Sequence, residues 1–234
     1  MAKGTVHNRE AFLDHVRNRL GGARRTHVER PEWTYQPQRA VYRGKTPTEL
    51  RTIFKENSVE KDTHVIETTK DELAETVRDV MQSYGGGPMV ATRDERFDTF
   101  GLSDVFEDER VYIWDADAGV ERNVQEARKA NVGFFVSDVS LAESGTVTQL
   151  NDRNNARSVS LLPVTYVAIV PESTIVPRMT QATDMIHGKV KNGEDLSPYI
   201  NFNSGPSNSA DIEMNIVKGV HGPVQAVHII VRGI

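Results

Sequence analysis

Apolar residues recur along this chain in different rhythms, and each rhythm predicts a different element. Between residues 8 and 20, Phe12, Val16 and Leu20 fall at i, i+4 and i+8 before Gly21-Gly22, the pattern of an amphipathic helix with a glycine stop. The stretch from Ala23 to Thr46 is polar, holds Pro31 and Pro37 and has no period, so it reads as an extended arm that Trp33 and Tyr35 can anchor. A short helix follows Pro47, with Leu50, Ile53 and Phe54 inward.

From Asp62 onward strand and helix alternate. The strand THVIET leads to a helix from Lys70 to Tyr84 that gathers Leu73, Val77, Val80 and Met81 on one face. MVAT, the irregular RDERFDTFGL and the strand VYIWD follow, and a helix around Arg122 to Ala130 precedes VGFFVSD. That last run is nearly all apolar, as strands covered on both faces of a parallel sheet are. SLAESGTVTQL and ARSVSLLP have no helical period and predict an inserted β-hairpin with Asn151 to Asn155 as its polar tip. VTYVAIV resumes the sheet. A helix from Arg178 to about Lys191, the strand YINFNSG, a helix starting near Ser209 and the strand VQAVHIIV close the chain. The expected fold is α/β, a mainly parallel sheet flanked by helices, with a helical extension and arm over 1–60 and the α/β core over 61–234.

Composition narrows the function classes. With 234 residues, 38% hydrophobic and 26% charged, the chain suits one core domain with an extension. A net charge of −5, with basic pairs such as Arg24-Arg25 and Arg128-Lys129 isolated, argues against nucleic acid as a partner. The longest apolar run, 164–170, is too short for a membrane span, and residues 1–12 lack the apolar region of a secretory signal, so the expected location is cytoplasmic. The chain has no cysteine, which excludes disulfides, a thiol nucleophile and any Cys-ligated cluster held by this chain alone.

Several motifs dissolve on inspection. Gly85-Gly86-Gly87 precedes Pro88 and a strand, whereas a phosphate cradle needs a helix behind it. Gly44-Lys45-Thr46 resembles the end of a Walker A loop, but Arg39 stands where its first glycine belongs. The seven histidines show no metal-ligand spacing, so neither a metal nor another cofactor is expected. His228 alternates within an apolar strand and reads as a hydrogen-bonded sheet residue.

Two segments keep their chemistry. In 204–223, SGPSNSADIEMNIVKGVHGP, Ser204, Gly205, Ser207, Asn208, Ser209 and Asp211 read as a strand-to-helix crossing on the carboxyl rim of the sheet, where ligands bind. The same residues also read as plain helix caps, with Asp211 and Glu213 complementing the dipole. His221, between Gly219 and Gly222-Pro223, can bind a ligand or move a proton, or pin its loop by a backbone hydrogen bond. In 142–146, Glu143 lies in a turn with Ser144, Gly145 and Thr146, where a carboxylate can be base, nucleophile or ligand anchor, or merely solvated.

AESGT, SLLP (160–163), IVP (175–177), SGPSNSADIE and GVHGP together resemble the signature of the LUD domain family and, in size and order, its lactate-utilization group. Ser144 stands where the family commonly has threonine, which keeps the hydroxyl. The resemblance implies a fold similar to the sugar-phosphate isomerase and CoA-transferase-like group. It also implies a part in oxidising L-lactate to pyruvate, beside iron–sulfur partner proteins, with this chain as the cluster-free component. Glu143 and His221 are then the candidate catalytic residues. Ser144, Gly145, Thr146 and the 204–211 residues are candidates to hold a small carboxylate. Two alternatives stay open: a stand-alone isomerase or acyl-transfer enzyme using Glu143, and a non-catalytic metabolite-sensing scaffold.

Overall fold

The computed structural model describes residues 5–22, 27, 29, 31–197, 199–212 and 215–234. Residues 1–4, Arg24-Arg25, Glu213 and part of the expected arm lie outside the described residues. The chain forms two compact units, Met1–Pro37 and Gln38–Ile234. The first contains α1 (Arg9–Leu20), which ends at Gly21 in the left-handed conformation. Everything below concerns the second.

Its first helix, α2 (Pro47–Val59), starts where the sequence TPTE says it should. Thr46 and Glu49 form a reciprocal capping box, and Pro47 occupies the first turn, where no amide hydrogen is needed. Leu50 and Phe54 are buried. β1 (Thr63–Thr69), α3 (Leu73–Ser83), β2 (Met89–Ala91), α4 (Arg96–Thr99), α5 (Ser103–Phe106), β3 (Val111–Ile113), α6 (Val120–Lys129) and β4 (Val132–Val136) follow. The chain then leaves the sheet through β5 (Val139–Leu141) and β6 (Thr146–Leu150), turns in α7 (Ser158–Leu161) and returns as β7 (Thr165–Pro171). It closes with β8 (Ile175–Val176), α8 (Met179–Lys191), β9 (Ile200–Asn203), β10 (Asn208–Ile212), β11 (Asn215–Lys218) and β12 (Gln225–Arg232).

Six strands form the central sheet in the order β1-β12-β7-β4-β2-β3. Every pairing in it is parallel. Alternation along β12 shows why both faces are covered. Val227, Ile229 and Val231 join the core under α3 and α5, while Ala226 and Ile230 join the core under α2 and the second sheet. Thus the α/β, mainly parallel fold expected from the sequence is present.

Two local expectations are corrected. The inserted hairpin turns at 142–145, where Gly145 takes φ 58, and not at Asn151–Asn155. Its strands belong to a second sheet, β8-β5-β6-β9, while ARSVSLLP contains α7 instead of a strand. The helix expected near Ser209 is also absent. Asn208–Ile212 and Asn215–Lys218 are antiparallel strands, β10 with β11, pairing Asn208 with Lys218 and Ser209 with Val217. Small polar residues cap helices, but they fit an exposed two-stranded ribbon equally well, and the local sequence does not choose.

Candidate functional site

Both signature turns pack against the same short piece of chain, the end of α2 and the start of β1. Gly145 is forced there twice over. Its φ is 58, and a Cβ would stand 2.5 Å from the Ser58 amide nitrogen. Gly205 repeats this on the other side, with φ 82 and a Cβ position 2.5 Å from the Lys61 carbonyl oxygen. Asn57 Nδ2 donates to the Ala142 carbonyl at 2.9 Å, fixing the first turn to the helix.

Register brings the turns together. β6 pairs antiparallel with β9 so that Val147 faces Asn203, which leaves Thr146 beside Ser204. The result is a hydroxyl chain, Ser144 Oγ to Thr146 Oγ1 at 2.6 Å and Thr146 Oγ1 to Ser204 Oγ at 2.6 Å. Thr146 is buried and Ser204 is exposed, so the chain runs from the surface inward.

A second chain lies beneath. His228 is fully buried, stacked on Phe54, with Nε2 at 3.1 Å from Tyr166 Oη and Nδ1 at 3.2 Å from Ser58 Oγ. Ser58 Oγ donates to the Gly145 carbonyl at 3.5 Å. With the Ser58 hydroxyl proton on that carbonyl, Ser58 Oγ takes Nδ1–H of the neutral ring and the Tyr166 hydroxyl donates to Nε2. His228 is therefore a neutral imidazole that supports the first turn from below through Ser58. Burial pushes its pKa down to about 3 and holds the Tyr166 phenol well above its ordinary value. The sheet-residue reading of His228 holds.

Glu143 meets a residue that sequence spacing did not reveal. Arg178, at the start of α8, pairs with its carboxylate: Nη2 donates to Oε1 at 2.8 Å, and Nε lies 2.6 Å from Oε2 as an ion-pair contact without hydrogen-bond alignment. The parallel pairing of β5 with β8 creates this contact. The only sequence signal was that Arg178 directly follows IVP.

The 204–223 segment lies elsewhere than expected. Gly205 abuts Lys61 and Thr63, Ser207 N–H donates to the Pro223 carbonyl, and Val224 N–H donates to the Val164 carbonyl. These contacts place the segment at the amino ends of β1, β12 and β7, not on the carboxyl rim. Ser207 Oγ accepts from the His221 backbone N–H at 3.3 Å, so the backbone of His221 does the pinning while the residue is exposed. Asn208, Ser209 and Asp211 are strand residues of β10, which puts them outside the hydroxyl chain.

The carboxyl rim holds a different cluster. β2 and β4 are neighbours whose following segments diverge, β2 toward β3 at the sheet edge and β4 toward β7. Between them Arg96 Nη2 bridges Asp94 Oδ2 at 2.6 Å and Asp138 Oδ1 at 2.9 Å. Burial raises the Asp138 pKa against the pull of Arg96. Among the described residues no group of three or more His, Asp or Glu side chains is placed to hold a metal ion, and no helix is long and apolar enough to cross a membrane.

A parallel α/β sheet with two glycine turns locked at its amino end defines the class of protein, and comparison gives the family. The LUD domain model matches residues 51–231, and the chain belongs to that family. It is 49% identical over 222 residues to a protein of Anoxybacillus flavithermus named Lactate utilization protein C, covering 95% of this chain and 98% of that one. A Bacillus subtilis protein of the same name is 46% identical over 238 residues, covering 99% of each. In fold the chain is similar to the crystal structure of a DUF162 family protein from Deinococcus radiodurans. The TM-score is 0.58 at 16% identity, over 80% of this chain and 99% of that one.

Proposed function

We propose that the chain is a component of a cytoplasmic L-lactate utilization system, acting beside iron–sulfur partner proteins, and that the paired turns hold a small carboxylate such as lactate or pyruvate. The names of the relatives at 46–49% identity support the metabolic role. One observation carries the ligand: the turn containing Glu143 presents a clamped guanidinium, Arg178, and the Ser144–Thr146–Ser204 hydroxyl chain. A guanidinium suits a carboxylate, and a hydroxyl chain suits a 2-hydroxyl group. Oxidation of lactate releases an electron pair. With no cysteine in this chain, the proposal assigns its carriage to the partners' clusters.

The alternative in which Glu143 attacks an acyl group has less support, because both carboxylate oxygens lie against Arg178. Glu143 acts here as the residue that orients the guanidinium. Calorimetric titration with lactate and pyruvate tests the site, and co-purification with the iron–sulfur proteins tests the assembly. Arg178→Ala should weaken carboxylate binding by about tenfold or more, the worth of one charge-assisted pair. Absence of both carboxylate binding and association overturns the proposal.

A further inference from the structure

We propose that the carboxyl-rim crevice between β2 and β4 is a second ligand site, one that takes an uncharged, polyhydroxylated small molecule. Open α/β sheets bind ligands where the connections from neighbouring strands diverge, and that point lies here, at Thr92–Arg96 after β2 and Asp138 after β4. Two adjoining clefts of about 270 and 420 Å³ share Arg93, Asp94 and Glu95, and the larger falls in the range of small-molecule sites.

The walls contain hydrogen-bonding groups left over. Asn151 is 6% exposed and Thr92 fully buried. Among the described residues neither Asn151 Oδ1 nor Thr92 Oγ1 has a partner. Asn151 lines the larger cleft and Thr92 the smaller, but both oxygens are closed off beneath the walls, so the open cleft itself offers Arg93 and the carboxylates. Arg93 donates Nε to the Trp114 carbonyl at 3.2 Å, and its outer nitrogens have no carboxylate partner among the described residues.

Charge selects the ligand class. The larger cleft is lined by six carboxylates and three basic side chains. Arg96 is taken by Asp94 and Asp138, and Lys189 by Glu194. An anion entering this excess of negative charge is repelled, so the cleft is unsuited to lactate or a phosphate ester. An ammonium ion would satisfy the carboxylates but could give Arg93 nothing, since it only donates. A hydroxyl both donates and accepts, so several hydroxyls on one small frame can serve the carboxylates and Arg93 together.

Ribose, ribitol, ribose 5-phosphate and lactate are the probes, followed by amide shifts in nuclear magnetic resonance of the full chain. Ribose and ribitol should give saturable shifts at 92–96, 138 and 150–155. Ribose 5-phosphate should bind more weakly than ribose. Arg93→Ala, a change at an exposed side chain, should weaken ribose binding by about tenfold while leaving the lactate titration unchanged. Glu95→Gln with Asp195→Asn should narrow the gap between ribose and its phosphate. The proposal is overturned by any of three results: no saturable shifts with either polyol, a phosphate ester that binds as tightly as ribose, or shifts confined to the paired turns. Because lactate binding is read in the same titrations, failure of the polyol site is distinguishable from failure of the carboxylate site.

Discussion

The two ends of the central sheet treat their polar groups in opposite ways. At the amino ends the groups close on one another: Gly145, Ser58, His228 and Tyr166 form one directed chain, and Ser144, Thr146 and Ser204 form another. At the carboxyl ends Arg96 is held between two carboxylates, but Arg93 and several carboxylates keep unused capacity in open clefts. A closed network fixes geometry and leaves little to rearrange when a ligand arrives. An open one keeps part of its hydrogen bonding for an occupant. The amino end is thus built as a preorganised mount, and the carboxyl end as a receptacle.

The largest effect should come from prying the closed end apart. Gly145→Val adds a β-branched side chain at φ 58, with its Cβ 2.5 Å from the Ser58 nitrogen. Backbone strain and overpacking together should cost about 4 kcal/mol or more, read as a lower urea midpoint. A wild-type midpoint would mean that the turn is free of α2, and the contrast between the two ends would fail.

How much of this was legible in the sequence follows the range of each interaction. VGFFV and the 164–170 run announced themselves because burial on both faces removes polar alternation. Pro47 with the spacing of Leu50, Ile53 and Phe54 announced α2 because a first-turn proline and an apolar face are local signals. The strand pair β10 and β11 reads as a helix start in the sequence because Ser, Asn and Asp favour caps, turns and exposed ribbons alike. Both signature turns were recognised, yet their meeting was not, since Thr146 and Ser204 are 58 residues apart. Arg178 and the Asp94–Arg96–Asp138 cluster stayed hidden for the same reason. Charged residues on different strands give no periodic signal, and only sheet order makes them neighbours.

At the carboxyl end, Arg96→Met removes the cation from between two largely buried carboxylates. Leaving such charges uncompensated should destabilise the chain by about 3 kcal/mol. Adding Asp138→Asn should recover part of the loss, because one of the stranded charges disappears. Denaturant unfolding of the single and double variants checks both. If the second change adds its own full cost, Arg96 and Asp138 are not coupled, and the rim is looser than its geometry indicates.

Acid should loosen the amino end through His228. Its folded pKa, about 3, lies below the ordinary value of 6.5. Between those values the unfolded chain binds a proton that the folded chain does not, so stability falls as pH falls through that window. The slope from this one group is up to about 1.4 kcal/mol per pH unit, or about 2 kcal/mol by pH 5. His228→Asn cannot titrate. The stability difference between wild type and variant should therefore shrink by that amount from pH 7 to pH 5. A difference independent of pH would show that His228 takes up its proton alike in both states.

The smallest effect should come where the closed end reaches the surface. Ser204→Ala removes the outer hydroxyl of the Ser144–Thr146–Ser204 chain. Because Ser204 is exposed, water can take its place on Thr146, and the loss should be about 1 kcal/mol or less. Thr146→Val should cost more, about 1–3 kcal/mol, because it strands buried polar atoms where water does not reach. The ratio of the two discriminates between two designs. If Ser204→Ala costs as much as Thr146→Val, the chain is closed to solvent from end to end. If it costs little in stability yet weakens lactate binding, the outer hydroxyl is held ready for the ligand.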